Sequence, residues 1–213
     1  YKKFKKFIQV STDEVFGSLN LREKSFTKLS PFNPQSPYSA SKASADHIVK
    51  SFSKTYDLNF VITHCTNNFG PRQNKEKLIP LVLNRAINNQ IIPVYGNGKN
   101  VRDWIYVIDH CEILYKILKD NKYSKDSFLI GSKNEISNIN LISRLIKILE
   151  QNSNQKNLKK LIKFVGDRPN HDFRYSIDAD FVINKLKNKF NDFDENLKKK
   201  NQYYLKNNIN NTK

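Results

Sequence analysis

Short apolar runs alternate along this chain with longer segments whose apolar residues recur at helical spacing. "FIQV", "FVITHC", "IIPVYG", "NVRDWIYV" and "SFLIGS" have strand length and are rich in β-branched and aromatic residues. Between them, "SPYSASKASADHIVKSFSKTYDLN", "LIPLVLNRAINN", "IDHCEILYKILKDN" and "NLISRLIKILEQ" read as helices. The first of these is expected from about Ser39 to Tyr56, with Pro37 just ahead of it. Strands alternating with helices predict an α/β fold around a parallel sheet. Phe7 to Val10 is expected to be a buried strand of that sheet. "KFVGDRPNHDFRYSID" is expected to be extended and loop-like, and the Lys/Asn-rich end to be a helical tail that frays beyond about Leu205.

Ligands of parallel sheets sit at the carboxyl ends of the strands. "STDE" (Ser11 to Glu14) follows Val10 directly, so two adjacent carboxylates are expected at that rim rather than in the core. Taken alone, the stretch fits a solvated acidic turn equally well. Tyr38 and Lys42 in "YSASK" stand four residues apart at a helix start, on one face. A neighbouring ammonium lowers a phenol's pKa, so the pair could accept a proton near neutral pH. A surface Tyr/Lys pair is the plain alternative.

The formal net charge of +17 invites a polyanion-binding reading. The lysines are spread along the whole chain and travel with asparagines, which fits compositional drift better than a designed groove. No nucleic-acid-binding signature accompanies them, so no specific nucleic acid is expected as a partner. No apolar run approaches the ~20 residues that span a bilayer. Cys65 and Cys111 lack metal-ligand spacing and are expected to be buried thiols in a reducing compartment, with no metal site.

The succession of "STDE", "SPYSASK" and "NNFGP" is far more specific than any one motif. With "PVYGNG", "VRDWIYVIDH", "GSKNE" and "DRPNHD", it resembles the extended short-chain dehydrogenase/reductase superfamily. Within that superfamily the Asp-Glu pair resembles the dTDP-glucose 4,6-dehydratases. The resemblance covers nearly the whole chain and implies part of a Rossmann-like NAD-binding domain over residues 1–70. A smaller α/β nucleotide-sugar domain is implied over 71–213, with about 97–125 returning to the first. NAD is the implied cofactor and dTDP-glucose the implied substrate, in cytoplasmic deoxysugar (for example rhamnose) synthesis by a homodimer formed through the Tyr38-bearing helix.

By the same resemblance, Tyr38 takes the proton of the sugar's 4-hydroxyl and Thr12 hydrogen-bonds that hydroxyl. Lys42 holds the nicotinamide ribose. Glu14 removes the hydrogen on the fifth carbon, and Asp13 protonates the departing 6-hydroxyl. The pKa values of the pair must therefore be pushed apart, as close like charges do. Asn68 is implied as a cofactor contact. Asn67, Lys77, Leu78, Pro93, Tyr95, Arg102, Asn138, Arg168 and His171 are implied on the nucleotide-sugar side. There Tyr95 would stack on the base and the two arginines would fork onto the diphosphate.

Four departures stand out. Phe16 replaces the family's usual Tyr, Asn170 replaces a Gly in "DRPGHD", and the C-terminal "LGW" pattern is missing after Leu186. The family's glycine-rich turn for the cofactor pyrophosphate is not among these residues, so the resemblance implies a C-terminal portion of the enzyme, and these residues alone are expected neither to bind NAD tightly nor to catalyse dehydration. An epimerase or decarboxylase of the same superfamily, or a non-catalytic nucleotide-sugar-binding remnant, is the alternative.

Overall fold

The structure is a computed structural model that describes the backbone of residues 5–210 and the side chains of residues 5–205. The chain divides into two compact units. The first comprises residues 1–68, 102–135 and 172–190; the second comprises 69–101, 136–171 and 191–213. The change of unit thus falls at 68/69. The returning segment is 102–135, and a second return, 172–190, has no counterpart in the sequence reading.

The first unit is built on a parallel sheet of β1 (Phe7–Thr12), β2 (Phe60–Cys65) and β6 (Asp126–Ile130), in the order β1-β2-β6. Thr12 pairs with Cys65 and Cys65 with Ile130, so all three strands end in one row. Helices α1 (Pro37–Tyr56) and α3 (Val107–Lys119) belong to this unit. α1 starts at a capping box in which Ser36 and Ser39 satisfy each other's backbone N–H groups, with Pro37 in the first turn. Val61, Ile105, Ile113, Ile117, Phe128 and Ile130 form the main core. Val49, Phe60 and Ile62 pack separately. β1 is less buried than its sequence suggests: Phe7 and Val10 are each 43% exposed. Among the described residues β1 pairs only with β2, which leaves one flank open. Lys6, just before it, donates to the Ile117 and Asp120 carbonyls at the end of α3, both at 2.8 Å.

In the second unit, β4 (Ile92–Tyr95) pairs in parallel with β8 (Ile162–Val165) beside the amphipathic helices α2 (Leu78–Ile87) and α4 (Asn138–Asn152). β8 shows that "KFVG", expected to be loop-like, begins with a paired strand. Three short strands, β3 (Asn67–Phe69), β5 (Val101–Tyr106) and β7 (Glu135–Ser137), form a further sheet in the order β3-β5-β7. The final helix, α5 (Phe193–Asn210), continues past Leu205, where fraying was expected. Its Leu197 is fully buried, which accounts for an ordered helix despite the Lys/Asn composition. The cysteines also differ from expectation. Both are free, Cys65 is half-buried and Cys111 is exposed, because Cys111 lies on the outer face of α3.

Candidate active site

At the end of β1 the chain turns into a single 3-10 turn, Asp13–Phe16, capped by Thr12 Oγ1, which accepts from the Glu14 backbone N–H at 3.3 Å. Val15 and Phe16 anchor the turn. Phe16 is 2% exposed and packs against the rings of Phe26 and Phe32, so the missing tyrosine hydroxyl is replaced by an aromatic cluster. This anchoring drives the two carboxylates apart. Asp13 is 3% exposed, whereas Glu14 is only half-buried. The expectation that both lie at a rim outside the core therefore needs correction for Asp13.

The Asp13 carboxyl takes one hydrogen bond from Thr12 Oγ1, at 3.3 Å on Oδ1, while its buried Oδ2 has no partner. Burial first, then the negative charges of Glu14 and Asp103, push its pKa up to about 8; Arg102 works in the opposite direction. Asp13 therefore carries its proton at neutral pH. Two adjacent carboxylates with unequal solvation supply a poised acid next to a more accessible base.

Tyr38 lies in the first turn of α1 with its side chain 55% exposed. Lys42, one turn on, donates to the Val10 carbonyl at 2.7 Å. The expected lowering of the phenol is not found. Partial burial, together with the charges of Glu14, Cys65 and Asp13, raises Tyr38 above its ordinary value. The same charges show that phenol and carboxylates occupy one electrostatic neighbourhood. Cys65, at the end of β2, lies among these groups and is pushed up to about 12, chiefly by burial. Its thiol donates to the Ser11 carbonyl at 3.4 Å. Asn68 donates to the Thr66 carbonyl at 3.2 Å, and its Oδ1 lies 2.9 Å from His110 Nδ1. Asn67 is half-buried at the start of β3.

Arg102, expected to meet a diphosphate, is turned inward and is 7% exposed. Its fork donates to the carbonyls of Asp172 at 2.8 Å and Phe173 at 3.2 Å, and it stacks on Tyr175 at 4.3 Å. Tyr175 in turn donates to the Asp172 carboxylate; burial and that bond keep the phenol protonated. Neither Tyr175 nor Asp103 stands out in the sequence reading. Asp103 is 3% exposed and accepts from the Ser132 N–H at 3.0 Å and the Asn134 N–H at 2.7 Å. The signal available was its place beside Arg102 in "VRDW": two charges within a strand this short require partners.

In the second unit Tyr95, Arg168 and His171 come together. The Arg168 guanidinium lies 5.1 Å from the Tyr95 ring and 2.8 Å from His171 Nε2, and His171 Nδ1 meets the Asp167 carboxylate. Gly96 permits this approach. Its φ is +56°, and a Cβ there would stand 2.5 Å from the Asp167 carboxylate. Asn170 has φ +49°, the left-handed conformation that Asn accepts in place of Gly. Lys77 caps the start of α2 and is exposed; Leu78 and Pro93 are half-buried. Asn138 opens α4, its N–H donating to the Asn100 carbonyl at 3.0 Å.

The family model described as GDP-mannose 4,6 dehydratase matches residues 1–199. Among curated proteins, the chain is 43% identical over 208 residues to a "Probable dTDP-glucose 4,6-dehydratase" of Sinorhizobium fredii, covering 97% of this chain and 59% of that relative. A solved dTDP-glucose 4,6-dehydratase of Streptomyces venezuelae, with NAD and TYD bound, superposes with a TM-score of 0.87 at 35% identity; 95% of this chain and 60% of that one are covered. The corresponding enzyme of Bacillus anthracis, in complex with NAD, gives 0.85 at 40% identity, with 95% and 62% covered. The chain thus spans about three fifths of the length of the relatives it matches.

Proposed function

Because the chain belongs to the GDP-mannose 4,6 dehydratase family, we propose that it carries the elimination machinery of an NAD-dependent dTDP-glucose 4,6-dehydratase. One observation carries this reading beyond the family: Asp13 is buried, and burial pushes its carboxyl up to about 8, directly beside the more accessible Glu14. Elimination of water from a sugar needs an acid and a base together, and a simple epimerisation does not.

The donor set fits the nicotinamide end of NAD. A phenol, an ammonium and an amide (Tyr38, Lys42 and Asn68) stand near the carboxyl ends of parallel strands, with the phenol exposed. NAD held there would supply the hydride acceptor for oxidation at the fourth carbon and the hydride donor for reduction at the sixth. Tyr38 takes the 4-hydroxyl proton, with Thr12 orienting that hydroxyl. For Tyr38 to act as a base, a positive charge must come beside it, and Lys42 is the cation one turn away. Glu14 then removes the proton on the fifth carbon, which the new ketone has acidified. Asp13 gives its proton to the departing 6-hydroxyl, and water leaves. The positive charge of Arg102 favours the carboxylate so formed.

On the nucleotide side, Tyr95 and Arg168, with His171 beside the guanidinium, offer a ring for thymine and a cation for a phosphate. Lys77, Leu78, Pro93, Asn138 and Asn67 are assigned to the nucleotide sugar by the family resemblance alone. Arg102 is assigned to holding the 172–173 segment instead. The outward apolar side chains of α1, Ile48, Phe52 and Tyr56, are 57%, 37% and 53% exposed and support a homodimer through that helix. Two free thiols accord with a cytoplasmic setting, and the product class with deoxysugar synthesis. No helix among the described residues is long and apolar enough to cross a membrane.

The test is incubation of the protein made from its complete coding sequence with dTDP-glucose and NAD, followed by mass spectrometry. The expected product is a 4-keto-6-deoxy sugar nucleotide lighter by one water. A sugar nucleotide of unchanged mass but inverted at the fourth carbon would replace this reading with an epimerase.

A further inference from the structure

Ser11, Asp46 and His64 form a buried polar cluster that the chemistry above leaves unused. The three residues are 3%, 0% and 2% exposed. Ser11 Oγ donates to Asp46 Oδ2 at 2.7 Å, and His64 Nε2 lies 3.0 Å from the same oxygen. The residue types match those of a hydrolytic triad, but the connectivity does not. The serine proton points to the carboxylate and not to the imidazole, so the hydroxyl is not activated as a nucleophile. Burial of a carboxylate is costly, and here it has a different effect.

Asp46 sits one turn beyond Lys42 and two turns beyond Tyr38, on the same face of α1. Ser11 is the residue before Thr12, and His64 is its registered partner across the β1–β2 ladder. Asp46 therefore bridges a single row of two neighbouring strands, immediately before the turn that carries Asp13 and Glu14. Lys42 makes a parallel tie to Val10, the preceding residue of β1. The two ties differ in kind. Lys42 holds β1 with the ammonium that the reaction needs beside Tyr38, whereas Asp46 uses no reacting group. Phe16 and Phe32 pack against the His64 ring at separations of 5.0 and 5.6 Å; Asp46 Oδ1 and His64 Nδ1 are buried with no hydrogen-bond partner among the described residues.

We propose that Asp46, through Ser11 and His64, is a positioning residue that fixes the helix bearing Tyr38 and Lys42 in register with Thr12, Asp13 and Glu14. The kinetic part of this proposal rests on the dehydratase reading; the structural part does not. The test combines turnover with amide hydrogen exchange in the protein made from its complete coding sequence. Ser11→Ala removes one anchor with little change in volume. It should lower kcat by about 10²-fold, the scale of an ångström-sized misplacement of catalytic groups. KM for dTDP-glucose should change little, and exchange should quicken over residues 38–46 of α1. Ser11→Thr, which restores the hydroxyl, should recover both. Asp46→Asn retains volume and one acceptor and should fall between. The proposal is overturned if Ser11→Ala and Asp46→Asn lower only the melting temperature, with kcat at the parent value, or if exchange in α1 is unaltered. A parent protein that never turns over dTDP-glucose would remove the dehydratase reading, and the exchange comparison would still decide whether the cluster ties helix to strand.

Discussion

Asp13 shows how one buried side chain can set both chemistry and stability. Its pKa is raised from the ordinary 3.8 to about 8, because burial penalises the anion. Between those values the folded protein binds the proton and the unfolded chain releases it, so this residue makes stability fall as pH rises through that window. Asp13→Asn, which cannot ionise, should flatten that part of the curve, as measured by urea unfolding at pH 5, 6, 7 and 8. An unchanged pH dependence would mean that Asp13 titrates normally. If Asp13 is the acid of the proposed reaction, that acid is available below about pH 8 and lost above it. The sequence displayed two adjacent carboxylates but not which one is buried, since that follows from Val15 and Phe16 packing under the turn. Asn170 was legible for the opposite reason: a left-handed backbone is a local property, and φ +49° is what Asn in a Gly position foretells.

At the scale of elements, α1 was readable because its start signals are local. Pro37 and the Ser36/Ser39 box fix where the helix begins and hence which face presents Tyr38, Lys42 and Asp46. Ser36→Ala should cost about 1 kcal/mol of stability, read as a lowered urea midpoint. No change would mean that packing alone sets the helix start. The segment 172–190 was not readable as part of the first unit. Its attachment rests on isolated bridges, Leu19 with Arg174 and Phe26 with Ile177, which join residues about 150 positions apart and leave no periodic trace, and on Val182, Phe181 and Leu186 packing into the main core. The Asp167–Arg168–His171 loop is similar, since only Gly96 hints at its close approach to β4. Arg168→Ala should weaken binding of dTDP about 10- to 100-fold, the scale of a lost charge-assisted bond of ~1.5–3 kcal/mol, as followed by calorimetric titration. Equal affinity would assign the phosphate to another group.

For the whole molecule, the net charge of +17 says little about the reaction. It should raise association rates for an anionic nucleotide in a salt-dependent way without selecting one. The proposed division of labour between Asp13 and Glu14 makes a specific isotopic demand. A proton removed from the fifth carbon by the half-buried Glu14 would be lost to solvent, and the proton that returns would come from solvent-exchanged groups. The decisive measurement is the reaction of the protein made from its complete coding sequence with dTDP-glucose and NAD in deuterium oxide, with the product analysed by NMR. The account predicts a 4-keto-6-deoxy product carrying one solvent deuterium at the fifth carbon, and neither product nor exchange with Glu14→Gln. A dehydrated product that keeps its original hydrogen at the fifth carbon, or a Glu14→Gln variant that forms product at the parent rate, would contradict it.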